Sequence, residues 1–135
     1  EIRRYVVVHD CGRVINPLIL AGQIQGGVAQ GIGNAFYEQL VFDDNGQLLN
    51  ASFMDFLMPY VTEVPDGIET DHLETPSPLN PLGIKGAGEA GVIPSAAVFA
   101  AAVEDAERTV LPGFEVRAMP ISPSELFHLR LTHGG

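Results

Sequence analysis

Apolar residues first concentrate in residues 2–9, where Tyr5-Val6-Val7-Val8 is an unbroken aromatic and β-branched run that reads as a buried strand. Asp10-Cys11-Gly12-Arg13 then reads as a turn. Asn16-Pro17 opens a helix, because Asn16 is a good N-cap and Pro17 fits the first helical position, where a missing N–H costs nothing. From there Leu20, Ile24, Val28, Ile32, Phe36 and Leu40 recur every four residues and predict a buried helical stripe to about Phe36 or beyond. Residues 41–49 read as a hairpin, with Asn45-Gly46 supplying the left-handed turn. Residues 52–60 are apolar with Asp55 set among them, and residues 68–75 form a short strand candidate. Pro76, Pro78 and Pro81 make a stiff, extended approach to residues 83–91. Pro94-Ser95 starts a second helix to about Arg108, with Val98, Phe99, Ala102, Val103 and Ala106 on its inner face. A last strand is expected over residues 114–119, and Ser122-Pro123-Ser124-Glu125 is a capping box that starts a short C-terminal helix. The expected class is α+β: a mixed sheet with one glycine-rich helix, a second helix after the glycine loop and a short C-terminal helix.

The first helix is unusual for its glycines: Gly22, Gly26, Gly27, Gly31 and Gly33. Each interior glycine costs roughly 0.8–1 kcal/mol relative to alanine. The expected compensation is bare backbone against which another element, and in part a cofactor, packs closely. A lipid-facing helix is excluded by Gln23, Gln25, Gln30 and Asn34.

Composition narrows the class. The 135 residues amount to one domain, and 46% of them are hydrophobic, enough for a real core. Seventeen acidic residues against seven basic give a net charge of −10, which argues against nucleic acid and anionic membranes as partners. No apolar stretch approaches the ~20 residues of a membrane span. A single cysteine rules out an internal disulfide and suits a reducing compartment. Neither end carries a targeting pattern. The chain opens Glu1-Ile2-Arg3-Arg4 without a methionine, so it reads as a piece of something longer.

Candidate chemistry centres on Gly83-Ile84-Lys85-Gly86-Ala87-Gly88-Glu89-Ala90-Gly91, in which only Lys85 and Glu89 carry reactive groups. Gly86 to Gly91 matches G-x-G-x-x-G literally, but a dinucleotide fingerprint needs a hydrophobic strand just before it, and Asn80-Pro81-Leu82 precede it. A P-loop fails because Gly86, not Ser or Thr, follows Lys85. His9, His72, His128 and His133 lack metal-ligand spacing, so no protein-bound metal site is expected and each reads as a surface or locally bonded histidine. Cys11 fits a buried small residue better than a nucleophile. Asp43, Asp44, Asp66, Asp71, Glu104, Asp105 and Glu107 read as solvated faces and turns. Spacing alone leaves Glu89 open between a positioned general base and a structural part, as a partner for a helix N-terminus or a loop hydrogen-bonder. Lys85 could pair with it or hold an anion.

Three motifs together carry a resemblance: Asp10-Cys11-Gly12-Arg13-Val14-Ile15-Asn16-Pro17, then Gly22-Gln23-Ile24-Gln25-Gly26-Gly27-Val28-Ala29-Gln30-Gly31-Ile32-Gly33, then residues 80–91. In order and approximate spacing they resemble the C-terminal part of the molybdenum-binding large subunit of the xanthine dehydrogenase / aldehyde oxidase / aerobic carbon monoxide dehydrogenase family. The resemblance covers nearly the whole chain. It implies a hydroxylase of aldehydes, N-heterocycles or similar electron-poor carbons that uses water-derived oxygen, with Glu89 as the catalytic base beside the molybdenum in a water-poor pocket. It implies that Asp10, Cys11, Gly12, Arg13, Val14, Ile15 and Asn16 contact the molybdopterin or its nucleotide extension, with backbone N–H groups suited to phosphate. Gln23 would lie near the pterin, and Lys85, Gly86 and Gly88 would bring backbone to the cofactor, in its cytosine dinucleotide form. Implied partners are the rest of the large subunit, iron–sulfur and FAD subunits or domains, and a small-molecule substrate, in the cytoplasm. This chain alone is expected to be inactive, to retain no molybdenum and to show apolar patches. The alternatives are a non-catalytic pyrophosphate- or nucleotide-binding domain and a structural interaction module.

Overall fold

A computed structural model describes residues 1–133, and of His133 only its backbone place in a helix. The elements run β1 (Tyr5–Asp10), α1 (Pro17–Phe36), β2 (Ile68–Leu73), α2 (Ser95–Glu107) and α3 (Pro123–His133), an α+β arrangement. They fall into two compact units. The first holds Glu1–Gly31 and Tyr60–Pro94, and the second holds Ile32–Pro59 and the chain from Ser95 on.

In the first unit β1 and β2 pair in parallel, with Tyr5 opposite Ile68 and Asp10 opposite Leu73. Parallel pairing needs a crossover, and the chain between the strands, including α1, supplies it. Tyr5 and Val7 are buried, whereas Val6 and Val8 are 50% and 60% exposed beside Glu69 and Asp71. The strand expected to be buried is therefore buried on one face only. It also starts three residues later than expected and keeps Asp10, which was read as part of the turn. The N-cap of α1 is formed as the sequence implies, with Asn16 Oδ1 accepting from the Ile19 N–H at 3.1 Å. Along α1 the i+4 stripe is buried at Ile24 and Val28, while Gly27 carries the next ridge.

Gly27 explains part of the helix's glycine content. A Cβ on Gly27 would sit 2.9 Å from Gly91 Cα, and one on Gly91 would sit 2.8 Å from Val28 N and 3.0 Å from Gly27 Cα. Helix and loop thus meet backbone to backbone, and neither position can take a side chain without displacing main chain. Gly22 and Gly26 differ: both are exposed, with nothing within 4 Å of a built Cβ.

The second unit is built on the end of α1, where Ile32 and Ala35 are buried with Phe99 of α2, Leu111, Phe114 and Ile121. Phe36 and Phe99 meet edge to face, with centroids 5.0 Å apart. Leu40, placed on the helical stripe by its spacing, lies beyond α1 and is exposed. The inner face of α2 also differs from expectation. Ser95, Phe99 and Glu107 are buried, and Val98, Ala102 and Ala106 are exposed. Glu107, expected on a solvated face, is buried with its carboxylate paired to the Arg130 guanidinium of α3. Residues 114–119 form no strand. The Val116 N–H donates to Glu104 Oε1 at 2.7 Å, a side chain where a strand needs a backbone partner. The hairpin is reduced to one antiparallel bridge, Phe42 to Leu48, closed by a turn in which Gly46 takes φ +79° and Asp43 Oδ1 accepts from the N–H groups of Asn45 and Gln47. The Ser122 cap of α3 is present, its Oγ accepting from the Glu125 N–H at 3.1 Å.

The glycine contacts give a two-sided prediction for the 135-residue chain. Gly91→Ala and Gly27→Ala are expected to lower stability by about 1–3 kcal/mol through overpacking. Gly22→Ala and Gly26→Ala should raise it by about 0.5–1 kcal/mol each, as helix propensity dictates in open space. Urea unfolding of the four variants checks both signs.

Candidate functional site

The candidate site lies in the first unit, where the turn after β1 meets the glycine-rich loop. Asp10, the last residue of β1, is the junction. Its Oδ1 accepts from the Gly12 N–H at 2.9 Å and from the Thr75 N–H at 3.1 Å, and its Oδ2 accepts from Lys85 Nζ at 2.7 Å. The ammonium of Lys85, with the two backbone N–H groups, holds the Asp10 carboxyl well below the usual carboxylate range. Lys85 therefore pairs with Asp10, 75 residues away, and not with Glu89.

Backbone contacts reinforce the junction. The Lys85 N–H donates to the Cys11 carbonyl at 2.9 Å, and Gly12 and Ile84 form an antiparallel bridge. The Gly83 carbonyl accepts from both the Arg13 N–H (3.0 Å) and the Ser77 N–H (3.1 Å). Gly12 and Gly83 both have positive φ, +64° and +67°, and a Cβ on Gly12 would stand 3.2 Å from Lys85 N. Only glycine allows the two turns to approach this closely. Asn80 braces the entry to the loop: its Nδ2 donates to the Ile84 carbonyl and its Oδ1 accepts from the Ile84 N–H, at 2.9 and 3.1 Å.

Past Lys85 the loop opens. Gly86, Gly88 and Glu89 are exposed, and neither glycine has an atom within 4 Å of a built Cβ. The Gly86 carbonyl lies 3.3 Å from His9 Nε2. The Glu89 carbonyl accepts from the N–H groups of Val92 and Ile93, which curls the chain into a turn. Since α2 begins only at Ser95, Glu89 stands six residues ahead of the helix, too far to act as its N-terminal partner. The dipole reading of Glu89 falls, and the carboxylate is left displayed from the loop.

The remaining expected site residues divide by what they already hold. Cys11 is buried, its Sγ 3.8 Å from the Gly12 carbonyl, as a small core residue would be. The N–H groups of Gly12, Arg13 and Val14 bond to Asp10, Gly83 and Glu74 respectively. Three of the backbone donors expected to face a phosphate are thus engaged within the chain. Arg13, Ile15, Asn16 and Gln23 are exposed, and Val14 is half-buried. Glu74 and Thr75 are parts of the junction that motif reading passed over, while Asn80 belongs to the third motif and His9 is locally bonded, as expected. Among the described residues no group of three or more His, Cys, Asp or Glu side chains is arranged to hold a metal ion. A cleft in the second unit, lined by residues that include Gln39, Met119 and Leu129, contains none of the expected site residues.

Comparison with known proteins gives the junction a context. Residues 1–65 match the family model of the molybdopterin cofactor-binding domain. The chain is 41% identical over 129 residues to 6-hydroxypseudooxynicotine dehydrogenase complex subunit gamma of Paenarthrobacter nicotinovorans, covering 94% of this chain and 16% of that protein. It is 44% identical over 106 residues to the carbon monoxide dehydrogenase large chain of Hydrogenophaga pseudoflava, covering 78% of this chain and 13% of the relative. Among solved structures, quinoline 2-oxidoreductase from Pseudomonas putida 86 superposes with a TM-score of 0.87 at 44% identity, over 95% of this chain and 16% of that one. The chain belongs to the molybdenum hydroxylase large-subunit family. It spans about one sixth of the length of these relatives.

The residues present fit such a cofactor in one respect. Gly22, Gly26, Gly86 and Gly88 leave bare, exposed backbone where a Cβ would otherwise stand. Bare backbone of this kind suits a large cofactor that needs close approach. Among the described residues no helix of this molybdenum hydroxylase segment is long and apolar enough to cross a membrane.

The Asp10 junction predicts a pH dependence. Because its carboxyl pKa is lowered on folding, the stabilisation is complete above the unfolded value of about 3.9 and is lost as the pH falls below it. Asp10→Asn should lower the melting temperature at pH 7, and the gap to the unmutated chain should narrow steadily as the pH is taken below about 4. Thermal melts of both chains across that range check the sign.

Proposed function

We propose that this chain supplies the catalytic carboxylate and part of the cofactor surface of a molybdenum hydroxylase acting on an aldehyde, N-heterocycle or similar electron-poor carbon. The observation that carries the reading is the placement of Glu89. It is an exposed carboxylate on a loop, preceded by the bare backbone of Gly86 and Gly88, with Lys85 on one side and Gly91 on the other fixed to β1 and α1. When bound, the molybdopterin cofactor, in its cytosine dinucleotide form, supplies the oxidising metal centre and the water-derived oxygen. Gln23, Gly86 and Gly88 would hold it, with Arg13, Ile15 and Asn16 against the molybdopterin or its nucleotide extension.

The chain's own chemical step is proton transfer. A Glu89 carboxylate oxygen accepts the proton released as oxygen is delivered to the substrate carbon, and a base positioned in this way contributes typically 10²–10⁴-fold. Exclusion of water from Glu89 falls to protein outside these 135 residues, because within them the side chain is exposed. The same applies to large apolar side chains left open, such as Phe53, Met54 and Leu79, which are 84%, 90% and 92% exposed. The rest of the large subunit would cover them. Oxidation of the substrate releases electrons that must leave the site, and the resemblance implies iron–sulfur and FAD subunits or domains to take them, in the cytoplasm.

Two measurements test the reading. In the enzyme that contains this chain, Glu89→Gln should lower kcat/KM by about 10²–10⁴-fold with molybdenum content unchanged. If the variant keeps full activity, the base is another group. The 135-residue chain by itself should carry no stoichiometric molybdenum in metal analysis and show no turnover.

A further inference from the structure

Between Lys85 and Gly91 lie five residues, two of them glycines with open space around them. Within the span the Gly86 carbonyl lies 3.3 Å from His9 Nε2, and the Glu89 carbonyl accepts from the Val92 and Ile93 N–H groups. The ends of the span carry its ties to the rest of the first unit. At the near end, Lys85 is tied twice, by its N–H to the Cys11 carbonyl and by its ammonium to Asp10. Asp10, the last residue of β1, is fixed in turn by Gly12 and by Thr75 in the chain just past β2. At the far end, Gly91 rests on the backbone of α1 at Gly27 and Val28.

We propose that Asp10, Lys85, Gly27 and Gly91 are positioning residues that set the location of the Glu89 carboxylate. In this role the Lys85 ammonium serves the protein and not the cofactor. The proposal rests on the reading of Glu89 as the base. Asp10 and Lys85 act as one unit, so losing either partner has the same consequence. Gly27 and Gly91 act by the absence of a side chain, and a methyl on either moves the loop relative to α1. Misplacement of a reacting group by about 1 Å costs on the order of a hundredfold in rate.

A double-mutant cycle in the whole enzyme tests this. Asp10→Asn, Lys85→Met and the double variant should each lower kcat by about tenfold to a hundredfold, with KM and molybdenum content unchanged. The double variant should be no worse than either single one. Lys85→Arg, which keeps the cation, should recover most of the rate. In hydrogen exchange, Asp10→Asn and Lys85→Met should both speed exchange at residues 86–90. Loss of molybdenum in Lys85→Met but not in Asp10→Asn would show that the lysine holds the cofactor, and overturns the proposal. Additive losses, or unchanged exchange at residues 86–90, overturn it as well. Glu89→Gln measured alongside keeps the two ideas apart. If it is silent, the reading of the base fails; if it abolishes activity while the other variants keep kcat, only the positioning role fails.

Discussion

Three segments far apart in sequence meet at the carboxylate of Asp10: the turn at Gly12, the chain leaving β2 at Thr75, and the glycine loop at Lys85. A carboxylate is well suited to this work. It has two oxygens and about four acceptor sites, so it can take two backbone N–H groups on one oxygen and an ammonium on the other. Each of those donors sits in a turn or loop outside the two strands. With the carboxylate gone, the Gly12 and Thr75 N–H groups would lose their acceptor and Lys85 its counter-charge, so the loop that displays Glu89 would lose its near anchor. Since the pair is about one-third exposed, its strength depends on salt as well as on pH.

The glycines of α1 do two different jobs. Gly27 lets Gly91 reach the helix backbone, so its cost in helix propensity is offset by a contact no other residue permits. Gly22 and Gly26 have no such contact among the described residues, yet their cost is the same. That asymmetry favours a surface completed by something outside these residues, whether cofactor or protein, and it agrees with a chain that spans one sixth of its relatives.

Much of the architecture was legible because it rests on local rules. The start of α1 follows from Asn16-Pro17, the start of α3 from Ser122-Pro123, and the buried line Ile24-Val28-Ile32 from a four-residue period. What was illegible depends on pairs distant in sequence. Lys85 stands four residues before Glu89, which suggests a partner, but that spacing brings side chains together only on a helix, and the loop is not helical. Glu107 read as solvated because its cation lies 23 residues on, in α3. The strand expected at residues 114–119 failed for a related reason, its Val116 N–H going to Glu104, 12 residues back. The candidate site residues were named from three motifs taken together, and the pairing of Asp10 with Lys85 emerged only once the loop was placed against β1.

That placement changes what the motifs can be asked to do. A stretch such as residues 10–14 next to a cofactor invites the view that its backbone donors face the ligand, but here Gly12, Arg13 and Val14 spend them on Asp10, Gly83 and Glu74. A backbone N–H already bonded within the protein has little left to give a phosphate, whereas a rigid turn can still shape the wall beside one. On the proposed function, the division of labour is then physical. The turn after β1 and the Gly27–Gly91 contact hold the loop, the open glycines admit the cofactor, and Glu89 is the one carboxylate in residues 83–91 left to move a proton.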